Sequence, residues 1–175
     1  LVGSEMCIRD SRKTLQHGAG YWDTADCYSG GNSELGIGKF LAANPEKRKD
    51  VFLVTKSDSR EPKGIQKLLD RSLTRMETDY IDLYFLHGVD SPDELTENVR
   101  DWVTEAKASK KIKFFGFSTH SNMAKCLTAA AKVGWIDAVM TSYNFRLMQE
   151  AEMQAAVDAC HKAGVGLIAM KTQAK

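Results

Sequence analysis

Six short runs of apolar residues recur through this chain, and their regularity limits the folds open to it. They are "GYWD" (20–23), "VFLVTK" (51–56), "IDLYFLH" (81–87), "IKFFGFS" (112–118), "DAVMTSY" (137–143) and "VGLIAM" (165–170). Each is continuous in apolar residues rather than alternating, the pattern of a strand buried on both faces of a parallel sheet. Between them lie segments with helical spacing. Segment 33–43 opens on Ser33, an N-cap residue type, and carries Leu35, Phe40 and Leu41. Segment 62–77 sets Ile65, Leu68, Leu69, Leu73 and Met76 on one face. Segment 91–108 starts Ser91-Pro92-Asp93-Glu94, a capping box with proline at the first helical position. Segments 121–133 and 148–163 complete the set, the last stopping at Gly164. Alternation of this kind, with right-handed crossovers, gives an α/β fold with a parallel sheet and helices outside it.

Two architectures satisfy that order: an open doubly wound sheet, and part of a (β/α)8 TIM barrel. A dinucleotide-binding doubly wound sheet carries G-x-G-x-x-G after its first strand. "SGGNSELG" (29–36) is glycine-rich but lacks that spacing, so the barrel is favoured. A complete barrel takes roughly 250 residues. Six units in 175 residues leave two missing, and the expectation is an incomplete barrel over 12–175, an internal piece of a longer gene product. Residues 1–11, "LVGSEMCIRDS", carry neither a strand nor a helix pattern and are read as a non-native extension. A six-unit chain on its own exposes two unpaired parallel edges and its interior, so it is expected to aggregate or be partly unfolded, without useful turnover.

Charge narrows the partners. Lys plus Arg number 24 against 23 Asp plus Glu, a net charge of +1, which leaves no electrostatic footprint for nucleic acid or an anionic membrane. No stretch of 18 apolar residues and no secretory signal pattern is present, so a cytoplasmic location is expected. Cys7, Cys27, Cys126 and Cys160 form no C-x-x-C pair and read as free thiols of a reducing compartment.

Ionisable residues close three successive runs: Asp23 the first, Lys56 the second, His87 the third, with Tyr28 just past the first. Each alone has an ordinary explanation: a turn residue, a solvated strand end, a structural histidine, a loop aromatic. In a parallel barrel, however, all strand C-termini share the rim that holds active sites. A phenol titrates near pH ~10, and an ammonium within hydrogen-bond reach favours phenolate. A carboxylate beside the lysine keeps it charged. A phenol so placed hands a proton to a developing alkoxide, and a neutral imidazole orients the carbonyl oxygen.

With these residues in view, "DTADCY", "LVTK" and "DYIDLYFLH" closely resemble the aldo-keto reductase superfamily: an Asp with Tyr five residues on, a strand-end Lys, and the run ending in His, in order and with intervals of 33 (23 to 56) and 31 (56 to 87). "GFSTHS" looks like that family's next strand end, and the resemblance covers residues 18–172. It implies a (β/α)8 barrel and reduction of aldehydes or ketones with NADPH, NADH not excluded. It implies Tyr28 as general acid, Lys56 as the group lowering its pKa, Asp23 as partner of that lysine and His87 as carbonyl orienter. Ser118 would contact the nicotinamide carboxamide, with Thr119 standing where the family has Asn. Met140 stands where a Gln is usual, and Met170 and Lys171 stand where an aromatic stacks on the cofactor. Lys171 is a candidate for cofactor phosphates. "SYNFR" and "AMKTQ" resemble a divergent bacterial branch.

Two other readings compete. A non-catalytic NADP(H)-binding regulatory barrel has no need of a Tyr–Lys–Asp set. A metal-dependent barrel hydrolase needs clustered ligands, whereas His17 precedes the first run, His161 lies in a helical segment and His120 alone neighbours the rim. Substrate and oligomeric state are not encoded in these patterns, and the residues that grip a 2′-phosphate lie beyond the seventh strand in the family.

Overall fold

The computed structural model describes residues 2–173, with side chains described from residue 9 onward. Six strands, β1 (Tyr21–Asp23), β2 (Phe52–Ser57), β3 (Ile81–Leu86), β4 (Ile112–Thr119), β5 (Ala138–Ser142) and β6 (Gly166–Met170), pair in parallel in strict chain order. Helices α2 (Asn32–Ala43), α3 (Pro62–Met76), α4 (Glu97–Ala108), α5 (Met123–Val133) and α6 (Ala151–Lys162) separate them, and α1 (Val2–Gln16) precedes β1. Sequential parallel order with a helix in each crossover gives a curled partial (β/α)8 barrel.

Each strand has two faces, and strand periodicity assigns them. Leu53, Tyr84, Leu86, Phe115, Phe117 and Val139 join the helices in the main core. Val54, Leu83, Phe85, Ala138 and Met140 form a second cluster on the concave face, flanked by Phe52, Ile168 and Met170. Continuous apolar runs arise because both faces are buried. At the N-terminal end of the concave face, Tyr21 stacks on Phe52 and Phe52 on Phe114, with centroids 5.7 and 6.3 Å apart. Tyr21 and Phe114 are exposed there, beside an open groove of about 370 Å³.

The sheet's underside is locked by one buried acid. Asp82 accepts from the Leu53 backbone N–H at 2.9 Å, from Arg48 Nη2 at 2.8 Å and from Lys113 Nζ at 2.7 Å. Arg48 also reaches the carbonyls of Val51 and Tyr80. Asp82 therefore ties β2, β3 and β4 together at the end opposite the strand-end residues.

Three local expectations change. Residues 2–16 are helical, although 1–11 show no apolar stripe: α1 packs on α2, and Leu15 reaches the core. Tertiary contact stabilises a helix whose own pattern is weak. Ser33 does not cap α2. Gly31, at φ +94°, holds that position, and Ser33 instead accepts from the Thr24 hydroxyl at 2.7 Å. Segment 91–108 divides. The capping box at Ser91 and Glu94 closes a single 3₁₀ turn, and α4 starts afresh with Thr96 as its cap.

Gly116 marks the tightest approach in the sheet. A Cβ there would lie 1.8 Å from the Ala138 carbonyl oxygen and 2.8 Å from the Phe85 ring. Gly116→Ala is expected to cost at least the ~1–3 kcal/mol typical of overpacking, read as a lower denaturant midpoint. An unchanged midpoint would contradict the closeness of β4 and β5.

Candidate active site

Asp23 and Lys56 alternate in phase with the concave face of β1 and β2, at their C-terminal ends. Lys56 is 2% exposed, and its ammonium donates to Asp23 Oδ1 at 2.5 Å and to the Thr24 carbonyl at 2.7 Å. Burying an ammonium is costly unless it is paired and hydrogen-bonded, and both conditions are met. Burial pulls the lysine's pKa below its ordinary value, with the Asp23 carboxylate opposing that pull.

Beyond β1 the chain keeps following β2: the Thr24 N–H donates to the Val54 carbonyl and the Asp26 N–H to the Lys56 carbonyl. Asp26 is then clamped from α3, accepting from Arg71 Nε at 2.7 Å and from Arg75 Nη1 at 3.1 Å. Arg75 also meets buried Glu34 at 3.0 Å, and Glu34 accepts from the Thr55 hydroxyl. The Arg75 guanidinium fills the place a Cβ on Gly31 would occupy, 2.5 Å away. The clamp fixes the turn Tyr28–Gly31, in which Ser29 and Gly30 take left-handed backbone conformations. Sequence inspection singled out Tyr28 and missed the residues that hold it. The available signal was Arg71 and Arg75, four apart on α3 and so on one helical face.

Tyr28 sits over Lys56, the ammonium 5.3 Å from the ring centroid, and meets the His87 ring edge-on at 5.8 Å and 76°. Lys56 and His87 therefore face the tyrosine ring at one rim, and Asp23 is bonded to that lysine. The electrostatics differ from expectation. The Tyr28 phenol is pushed above its ordinary pKa, by burial first and then by the negative fields of Asp23, Cys27 and Asp58. These effects outweigh any pull from the Lys56 ammonium, which is bonded to Asp23. The phenol thus keeps its proton through neutral pH.

His87 follows β3. Its N–H donates to the Ser57 carbonyl at 2.8 Å, and Arg60 donates to its carbonyl at 2.8 Å. Arg60 is itself paired with Glu94. His87 Nδ1 lies 2.8 Å from Asp58 Oδ1 and 3.7 Å from Cys27 Sγ. Neither neighbour was singled out in the sequence, since each is a lone exposed residue until β1, β2 and β3 are side by side.

The residues assigned by resemblance to cofactor contact separate. Ser118, buried, accepts from the Gly88 N–H at 3.0 Å and retains its own proton to donate. It pairs in register with Met140 on the concave face. Thr119 has the opposite parity, is fully buried, and donates to the Ser121 carbonyl at 2.8 Å, so its hydroxyl is spent away from the rim. Lys171, exposed with φ +52°, follows β6, and the His120 imidazole is depressed by burial first and then by the Lys171 charge.

The groups at the concave end of β4–β6 suit a nicotinamide cofactor in chemistry: the Ser118 hydroxyl, the apolar Met140 and Met170 on the same face, and a cation at Lys171.

The comparisons agree with this fold. The Aldo/keto reductase family model matches residues 4–175. Aldo-keto reductase yakc [NADP(+)] of Schizosaccharomyces pombe is 30% identical over 164 residues, covering 86% of this chain and 47% of that protein. Aldo-keto reductase str7 of Strobilurus tenacellus is 34% identical, covering 87% and 46%. The holo form of aldo-keto reductase AKR11C1 from Bacillus halodurans superposes with a TM-score of 0.79 at 27% identity, over 93% of this chain and 55% of that one. The chain spans about half the length of such curated relatives. No helix among the described residues is long and apolar enough to cross a membrane. A sequential parallel partial barrel with Asp, Tyr, Lys and His gathered at one rim, matched along nearly its whole length by one family model, places this chain in the aldo/keto reductase family.

Proposed function

We propose that the protein to which this chain contributes reduces aldehydes or ketones with NADPH, and that Tyr28 is the proton donor. The observation that carries this reading is the stacking of Lys56, Tyr28 and His87 at the ends of adjacent strands, with Lys56 bonded to Asp23. The cofactor, when bound, supplies hydride to the carbonyl carbon. Tyr28, kept protonated, donates its proton to the oxygen as it becomes an alkoxide. The buried Lys56 ammonium then stabilises the phenolate left behind, a charge that exists only after transfer and is therefore felt most in the transition state. Asp23 holds the ammonium in place. His87 borders the same space and positions the carbonyl oxygen. Ser118 donates to the carboxamide, and Lys171 meets the phosphates. The preference for NADPH rests on a relative named for NADP(+). A cytoplasmic location is part of the same proposal, and the three free cysteines among the described residues suit a reducing compartment.

The chain, closed to eight units with the remaining part of a relative, is titrated with NADPH and NADH while the enhancement of nicotinamide fluorescence is followed, then supplied with an aromatic aldehyde. Binding of NADPH with oxidation on addition of the aldehyde is expected. Binding without oxidation across a panel of aldehydes, ketones and sugars would favour a non-catalytic, cofactor-sensing barrel instead.

A further inference from the structure

The loops after β1, β2 and β3 bring three different metal-ligating groups together: Cys27, Asp58 and His87, whose ligand atoms all lie within 4.8 Å of one another. We propose that this trio is a binding site for Zn²⁺, with a fourth position left open.

Thiolate, imidazole and carboxylate together match the mixed donor sets of zinc sites with three protein ligands. The spacing agrees. For bond lengths of about 2.3 Å to sulfur and 2.0–2.1 Å to nitrogen, tetrahedral angles place sulfur and nitrogen ~3.6 Å apart. Cys27 Sγ and His87 Nδ1 are 3.7 Å apart. The carboxylate must move outward by roughly half an ångström from its 2.8 Å contact with Nδ1 to leave room for the ion. The Asp58 side chain is half exposed and free to do so. The supporting frame is firm: Asp26, next to Cys27, is clamped by Arg71 and Arg75, and Arg60 grips the His87 and Gly88 carbonyls.

One consequence concerns His87. With Nδ1 donating to the Asp58 carboxylate, a neutral ring has a bare Nε2. With Nδ1 on zinc, the remaining proton sits on Nε2. The ion thus converts the second nitrogen from acceptor to donor. Binding itself requires only loss of the Cys27 thiol proton to solvent.

The inference does not depend on the reductase reading, and its test is spectroscopic. The chain carrying Cys7→Ser is titrated with Co²⁺, and then with Zn²⁺ as competitor. A sulfur-to-cobalt charge-transfer band saturating at one equivalent, lost on addition of Zn²⁺, is expected. Cys27→Ser should remove the band. Asp58→Asn should weaken binding about 10-fold or more, at least the loss usual for a group that merely supports a ligand. Both positions are exposed, and far-ultraviolet circular dichroism confirms that the variants fold. The same titration on the eight-unit version covers precipitation of the shorter chain. Absence of a sulfur band, or a band that survives Cys27→Ser, overturns the proposal.

Discussion

Tyr28→Phe is expected to lower the rate of carbonyl reduction by about 10²–10⁴-fold, the range lost with a positioned general acid, while NADPH binding is unchanged. The substitution removes one oxygen. The ring stays, with its face on the Lys56 ammonium and its edge against His87, so packing at the rim is preserved. What disappears is the only proton source in this group whose loss the lysine directly compensates. His87 cannot replace it without taking a proton from solvent and moving toward the tyrosine's position. Fluorescence titration with NADPH and single-turnover reduction separate the two effects. Turnover within a few fold of the parent would transfer the acid role to another group, His87 first. Loss of binding and turnover together would make the tyrosine structural.

The second large effect is on stability. Asp82→Ala removes the acceptor shared by Arg48, Lys113 and the Leu53 N–H, and leaves a largely buried guanidinium without its carboxylate. Breaking a buried pair in this way costs about 3–5 kcal/mol, measured as a fall in unfolding free energy. The same residue gives a pH dependence. Burial alone would raise the Asp82 pKa, but the Leu53 N–H, Lys113 and Arg48 outweigh it and hold the carboxyl below its ordinary value. A carboxyl depressed in the folded state contributes stability that is fully present above its unfolded pKa of ~3.9 and is lost as pH falls through the folded value. Acid unfolding of the parent should therefore steepen below pH ~4, and Asp82→Asn should flatten that part of the curve. An Asn variant with the parent's acid profile would remove Asp82 from the linkage.

Strand positions were readable because burial on both faces leaves an unbroken apolar run, and all six were found within about two residues at either end. The rim residues Asp23, Lys56 and His87 were readable for the same reason: an ionisable group that ends such a run stands out. Where the sequence misled, long-range contact decided. Helix α1 has no apolar stripe and is held by α2. Ser33 is a good capping residue, but Thr24 claims its hydroxyl and Gly31 supplies the left-handed turn. Thr119 follows Ser118 directly, yet strand parity turns it to the opposite face.

The pattern of apolar runs and helical spacers determined by itself that the chain forms a parallel sheet wrapped by helices, with ionisable residues at the strand ends, because local periodicity dictates which faces are buried. Only the tertiary structure decided the surroundings of those residues. Burial and the nearby carboxylates of Asp23 and Asp58 raise the phenol's pKa, and neither is visible before the strands align. Cys27, Asp58 and His87 become neighbours only when three strands align, since residues 31 and 29 apart share no local signal. Coulomb forces and metal–ligand bonds act over a few ångströms, and separation along the chain carries almost no information about such distances.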